Sequence, residues 1–145
     1  MFPPNSQIGN WQISWEFLLA AYSNGYFPMA DSKDSQFLHW LCPEMRGVIP
    51  LDKFHIPKSL ARFMKKSPFA VTVDTAFPQV IKSCAEITAG REETWINQPI
   101  IDLYCELWKY GFAHSVECWQ EATDKNSPPI LVGGLYGVSI GGAFF

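Results

Sequence analysis

Lys58, Arg62, Lys65 and Lys66 recur so that, at about 100° per residue, they form one stripe of a helix, with Ile56, Leu60, Phe63 and Met64 opposite. They are four of the eleven Lys and Arg residues of a chain whose net charge is −3. In an acidic protein such a stripe is either a solvated helix face or a local anion-binding surface, suited to phosphates contacted without regard to sequence. Trp95 lies in the polar stretch Glu92-Glu93-Thr94-Trp95-Ile96-Asn97, off any periodic apolar face. A loop aromatic of this kind either stacks on a base or closes over the core as a lid. Tyr104 sits on the apolar face of a predicted helix, where a core ring with a satisfied hydroxyl is the simpler expectation. His114 and Glu117 are acid–base residue types, but on a strand they point to opposite faces, so no dyad is expected. A structural His and a surface or inter-strand Glu are expected instead. His39 and His55 are isolated, and three scattered histidines make no metal pattern. No G-x-S-x-G, P-loop or dinucleotide fingerprint is present. Gly133-Gly134 and Gly141-Gly142 lack phosphate-loop spacing, and glycines within strands instead allow bulges or close backbone approach.

The elements that must position these residues follow from caps, periodicity and breakers. Ser14 can cap a helix through about Ser23, stopped by Asn24-Gly25. Tyr26 to Met29 and the polar run Asp31 to Gln36 read as loop, and Phe37 to Trp40 as a short strand. Pro43, Gly47 and Pro50 mark a boundary near residue 44. Pro57 opens a helix to about Lys66, and Pro68 ends it. Phe69 to Val73 is a predicted strand. Asp74 or Thr75 is a candidate cap for a helix to about Ala89, with Pro78 in its first turn. Asn97 and Pro99 open a helix whose Ile100, Leu103, Tyr104, Leu107 and Trp108 share one face, and Gly111 stops it. Strands are expected at His114 to Gln120 and Ile130 to Ser139, with Gly141-Gly142 turning toward a third. Helices preceding an antiparallel meander give an α+β or layered α/β fold.

The chain has 145 residues, 48% hydrophobic and 15% aromatic, enough core for one ordinary domain or a small one plus part of another. With 17% charged residues it is not a disordered sequence. The acidic balance argues against a generally basic, nucleic-acid-coating protein. No apolar run reaches membrane-spanning length, and the polar start at Asn5 to Asn10 is no signal peptide, so a cytoplasmic protein without membrane association is expected. Cys42, Cys84, Cys105 and Cys118 form no C-x-x-C pair and read as free thiols.

Five blocks carry a resemblance: Ala21-Tyr22-Ser23-Asn24-Gly25-Tyr26-Phe27-Pro28, His55-Ile56-Pro57-Lys58-Ser59-Leu60, Thr94-Trp95-Ile96, His114-Ser115-Val116-Glu117 and Val132-Gly133-Gly134-Leu135-Tyr136-Gly137-Val138. In this order and spacing the chain resembles the bacterial leucyl/phenylalanyl-tRNA–protein transferases. The resemblance implies a small N-terminal domain, residues 1–44, followed by an incomplete domain of the GNAT acetyltransferase type, residues 45–145. It implies transfer of Leu or Phe, with Met as a further substrate, from aminoacyl-tRNA to acceptor proteins that begin with Lys or Arg, marking them for degradation. The ester is already activated, so no cofactor or metal is implied, and a monomer is expected. By resemblance Trp95 is the adenosine platform with Tyr104 nearby, Leu135 and Phe144 hold the amino-acid side chain, and the Lys58, Arg62, Lys65 and Lys66 face holds tRNA phosphates. Met29 stands where many members carry Trp. The family continues after Phe145 with Gly-Glu-Ser and a further half-domain containing the residues proposed for proton transfer, so no catalytic residue is assigned. The alternative reading is a truncated, inactive remnant that at most binds tRNA. An acyl-CoA-dependent GNAT enzyme shares the implied fold but needs a pyrophosphate loop beyond Phe145.

Overall fold

Ser14 accepts a hydrogen bond from the backbone of Phe17, three residues on, and so starts helix α1, Trp15–Ser23. Gly25, at φ 85°, turns the chain out of it. The computed structural model describes residues 8–9, 13–124 and 126–145. Most of the polar start Asn5 to Asn10, and Lys125 in the loop before the last hairpin, lie outside the described residues.

Three strands form a small antiparallel sheet in the order β1 (Ile8–Gly9), β3 (Phe37–Leu41), β2 (Phe27–Ala30). The stretch that forms β2 was expected as loop. It is a strand because Pro28 and Ala30 turn inward while Phe27 and Met29 alternate with them. Its Pro28 is tolerated because β2 is an edge. Residues 42–60 then run exposed over the surface, through a short 3-10 turn at Leu51–Lys53 and into helix α2, Lys58–Met64. That helix is shorter than expected: Lys65 is its C-cap residue and Lys66 lies beyond it.

The larger sheet is antiparallel throughout, in the order β4 (Phe69–Val73), β5 (Ala113–Gln120), β6 (Ile130–Ile140), β7 (Ala143–Phe144). Helices α3, Phe77–Ala85, and α4, Gln98–Lys109, cover one face of it, and α1 packs on α4. This is an α+β fold. The Asn97 side chain caps α4 by accepting from Ile100 N at 3.1 Å, and its amide donates to the Ser35 carbonyl at 2.9 Å. Helix α3 ends at Ala85 rather than near Ala89, and neither Asp74 nor Thr75 caps it. Asp74 is held at φ 58° with its carboxylate turned to Ser115 N (2.8 Å) and His114 Nδ1 (2.7 Å), while Thr75 donates to Glu117.

One hydrophobic core joins the two sheets. Leu18, Ala21, Leu38 and Trp40 from the N-terminal part pack with Phe77, Ile81, Ile100, Leu107 and Val138 from the remainder. Full burial of a Leu, Ile or Phe side chain contributes about 1.5–3 kcal/mol. The sheet face away from the helices is open, with Val71 66% and Leu135 50% exposed.

Candidate functional site

Between the two parts of the chain lies a cavity of about 420 Å³, lined by Tyr22, Cys84, Arg91, Glu93, Thr94, Trp95, Ile96, Tyr104, Tyr136, Gly137 and Phe145. Ligand pockets commonly span about 300–1,000 Å³, so a nucleoside-sized group fits. Trp95 is fixed through its backbone: its carbonyl accepts from Ala30 N at 3.2 Å. On either side, Thr94 Oγ1 accepts from Ile96 N and Asn97 holds the next helix. Yet the Trp95 side chain keeps 37% of its surface exposed, so a rigid backbone presents an open aromatic face.

Tyr104 comes from the buried face of α4, and its hydroxyl shares a short hydrogen bond with that of Tyr22 from α1. Tyr136 projects from β6 beneath them, edge-on to Tyr104 at 5.6 Å and to Phe77 at 5.9 Å between ring centroids. Phe145 closes another side, edge-on to Tyr22 at 5.6 Å. Arg46 clamps that corner, its guanidinium 4.9 Å from the Phe27 ring centroid and donating to Gly25 O at 2.6 Å. Burial pushes the phenols of Tyr22, Tyr104 and Tyr136 above their ordinary range. Burial also raises the Cys84 thiol, against the nearby positive charge of Arg91. These groups are therefore neutral at pH 7, and the arrangement is equipped for stacking and neutral hydrogen bonding.

Gly137 is the corner where this cavity meets the open sheet face. A Cβ there would lie 2.6 Å from Phe144 Cζ and closer still to the Phe145 carbonyl oxygen, so only glycine lets the last residues cross over β6. Leu135, Gly137 and Phe144 share that face, since Phe144 pairs with Ser139 in the same alternation.

A model of the family described as leucyl/phenylalanyl-tRNA protein transferase matches residues 48–145, and a second, for that family's N-terminal domain, matches residues 12–44. The chain belongs to this family. It is 50% identical over 133 residues to the leucyl/phenylalanyl-tRNA–protein transferase of Paramagnetospirillum magneticum, covering 92% of this chain and 60% of that protein. The proteins of that name from Hyphomonas neptunium and Phenylobacterium zucineum are 54% and 52% identical, with 90% and 88% of this chain matched to 48% and 55% of theirs. The chain thus spans about half the length of the relatives it matches.

In this member of the family, Trp95 and Tyr104 line one cavity. Met29 is half-buried on β2, next to the Ala30 amide that bonds Trp95, but outside the cavity lining. Leu135 and Phe144 lie on the open sheet face, and Phe145 rather than Phe144 lines the cavity. Lys58, Arg62, Lys65 and Lys66 are exposed and away from the cavity lining. Of the two expectations for Glu117, surface or inter-strand, the structure bears out the second, through Thr72 on the paired strand. Glu117 is fully buried, receiving Thr72 Oγ1 at 2.6 Å, Ser115 Oγ at 2.5 Å, Thr75 Oγ1 at 3.0 Å and Ala76 N at 3.3 Å. His114 pairs with Asp74 and not with Glu117, as the strand geometry predicts. Tyr22, Tyr136 and Phe145 were not expected as site residues. Tyr22 and Tyr136 fall within blocks that carry the resemblance and Phe145 in an apolar, aromatic-rich segment, but the contacts that converge them are long-range and leave no local pattern.

Proposed function

We propose that this chain acts on aminoacyl-tRNA, taking Leu or Phe for transfer to the α-amino group of a protein that begins with Lys or Arg. The observation that carries the reading is the cavity in which exposed Trp95 and the tyrosine cluster converge, in a chain of this family. The terminal adenosine stacks on Trp95, and the aminoacyl side chain passes Gly137 to the apolar surface of Leu135 and Phe144, with Met29 flanking the platform. An apolar surface selects Leu and Phe against charged residues while discriminating poorly by single methylenes, which also admits Met. Exposed Lys58, Arg62, Lys65 and Lys66 contact the acceptor-stem phosphates. In the reaction the acceptor's uncharged amine attacks the ester carbonyl, and the tetrahedral intermediate collapses to an amide as the ribose oxygen leaves with a proton. The larger part of the molecule is read as the first half of a GNAT-like domain, and the product is marked for degradation by its new N-terminal residue.

A second reading, binding of aminoacyl-tRNA without transfer, is favoured by the coverage of about half the relatives' length. Both are tested by incubating the 145-residue chain with labelled phenylalanyl-tRNA and a peptide beginning with Arg. Transfer to the peptide establishes the first reading, retention of the tRNA without transfer selects the second, and the absence of both transfer and retention overturns both readings. Trp95→Ala is expected to weaken use or retention of the tRNA by about 1–3 kcal/mol, the stacking of one base. Unchanged behaviour would remove Trp95 from the platform role.

A further inference from the structure

Arg91 is the one Lys or Arg among the described residues that line the cavity. A tight hairpin holds its backbone: Thr88 and Arg91 exchange two hydrogen bonds, at 2.8 and 3.1 Å, around Gly90 at φ 91°. The guanidinium is anchored in turn, donating through Nη2 to the carbonyl of Glu86, the residue that ends α3. Its other N–H donors have no partner among the described residues, and no carboxylate pairs with it there, since the ion pairs are His39–Asp31 and His114–Asp74. Arg91 is exposed, so a ligand in the cavity meets its charge without displacing a core side chain. Arg46, the other cation at this site, is already engaged: it lies over the rings of Phe27 and Phe145 and donates to Gly25 O. Four residues of chain keep the Cα atoms of Arg91 and Trp95 within about 14 Å of each other, and both residues line the same cavity. Glu93 lines it too, with the opposite charge. An anion is therefore held here by a close, directed contact and not by a diffuse basic patch.

We propose that Arg91 binds the phosphate on the 5′ side of the nucleoside that stacks on Trp95. The inference rests on the aminoacyl-tRNA reading and adds to it the anion contact at the very end of the tRNA, separate from the Lys58, Arg62, Lys65 and Lys66 face. The terminal nucleoside of an aminoacyl-tRNA carries its ester on a 2′ or 3′ oxygen and one phosphodiester on its 5′ oxygen, so base, ester and phosphate leave the ribose in three directions. Trp95 takes the base and Gly137 opens the way for the ester. Arg91 is the group in the lining whose charge matches the third. Stacking alone tolerates sliding and rotation of a base over the indole, whereas a guanidinium fork meeting two phosphate oxygens sets a register.

The test uses phenylalanyl-adenosine in which an amide replaces the ester, so that the probe is not consumed, prepared with a free 5′-hydroxyl and with a 5′ methyl phosphodiester. The affinity of both probes for the 145-residue chain, Arg91→Gln and Trp95→Ala is measured by calorimetric titration, with a thermal melt of each protein. In the unaltered chain the phosphodiester is expected to tighten binding about threefold to thirtyfold, between the effect of an exposed ion pair and that of a charge-assisted hydrogen bond, and this gain should shrink as salt is raised. Arg91→Gln is expected to abolish the gain. No gain in the unaltered chain, or a gain insensitive to salt, overturns the inference, and that arm holds even if Arg91→Gln does not fold. A gain that survives in Arg91→Gln overturns it too, as does an equal loss with both probes, which gives Arg91 a role in shaping the cavity. In each of these cases weaker binding of both probes by Trp95→Ala leaves the aminoacyl-tRNA reading standing. If the unaltered chain binds neither probe, both fall.

Discussion

Glu117 has no ion-pair partner among the described residues, yet it is fully buried. Burial alone would raise its pKa. The bonds from Ser115, Thr72, Thr75 and the Ala76 backbone outweigh that and hold it below the ordinary carboxylate value. Because Ala76 N–H belongs to the start of α3, the charge also sits at the positive end of that helix. A depressed folded-state pKa gives stability that is fully present above the unfolded value of about 4.3 and is lost as pH falls from there through the folded value. Melts of the unaltered protein should therefore lose Tm as pH falls below about 4.3. Glu117→Gln, which cannot titrate and turns an amide toward hydroxyl donors, should cost about 1–3 kcal/mol at pH 7 and flatten that acid limb. Acid limbs that run parallel in the two proteins would show that Glu117 is not the group responsible.

At the scale of elements, α2 is distinctive because none of its residues is buried. Its apolar side is uncovered as well as its basic side, with Phe63 54% and Met64 58% exposed. Packing therefore does not explain the helix, and its stripe of Lys58, Arg62 and the following Lys65 and Lys66 stands free to meet phosphate. Replacing Lys58, Arg62 and Lys66 by Glu should leave the melt within about 0.5 kcal/mol of the parent, as surface changes usually do. It should also weaken tRNA retention and lower the slope of log affinity against log salt. An unaltered slope would return this face to simple solvation. The start signals of α1 and α4 were legible from sequence because Ser14 and Asn97 act on amides only three residues away. The start of α3 was not. Asp74 and Thr75 have the chemistry of caps, but β5 draws both side chains away, through Ser115, His114 and Glu117. In β2, Pro28 hid a strand that only its edge position permits.

Across the whole molecule, the antiparallel order and the α+β class were legible because each strand of the larger sheet is bounded by glycine, proline or polar turns. The site was legible in part. Trp95 stood out as an aromatic in a polar stretch, but the meeting of Tyr22 with Tyr104 spans 82 residues and leaves no local trace. Tyr136 and Phe145 are similarly silent in one dimension, since alternation assigns a face and not a neighbour. That same long-range packing has a consequence for the exposed run 42–60 and the uncovered helix after it. Trypsin sites at Lys53, Lys58 and Arg62 lie there, where no core residue is lost by cutting. Leu18, Ala21 and Trp40 on one side of the cut remain packed with Ile100, Leu107 and Val138 on the other, so the pieces should co-elute in gel filtration. Pieces that separate without denaturant would show that the shared core is too weak to hold them. If they stay together, the nicked protein folds by a bimolecular route: its melting temperature rises with concentration, whereas that of the intact chain does not.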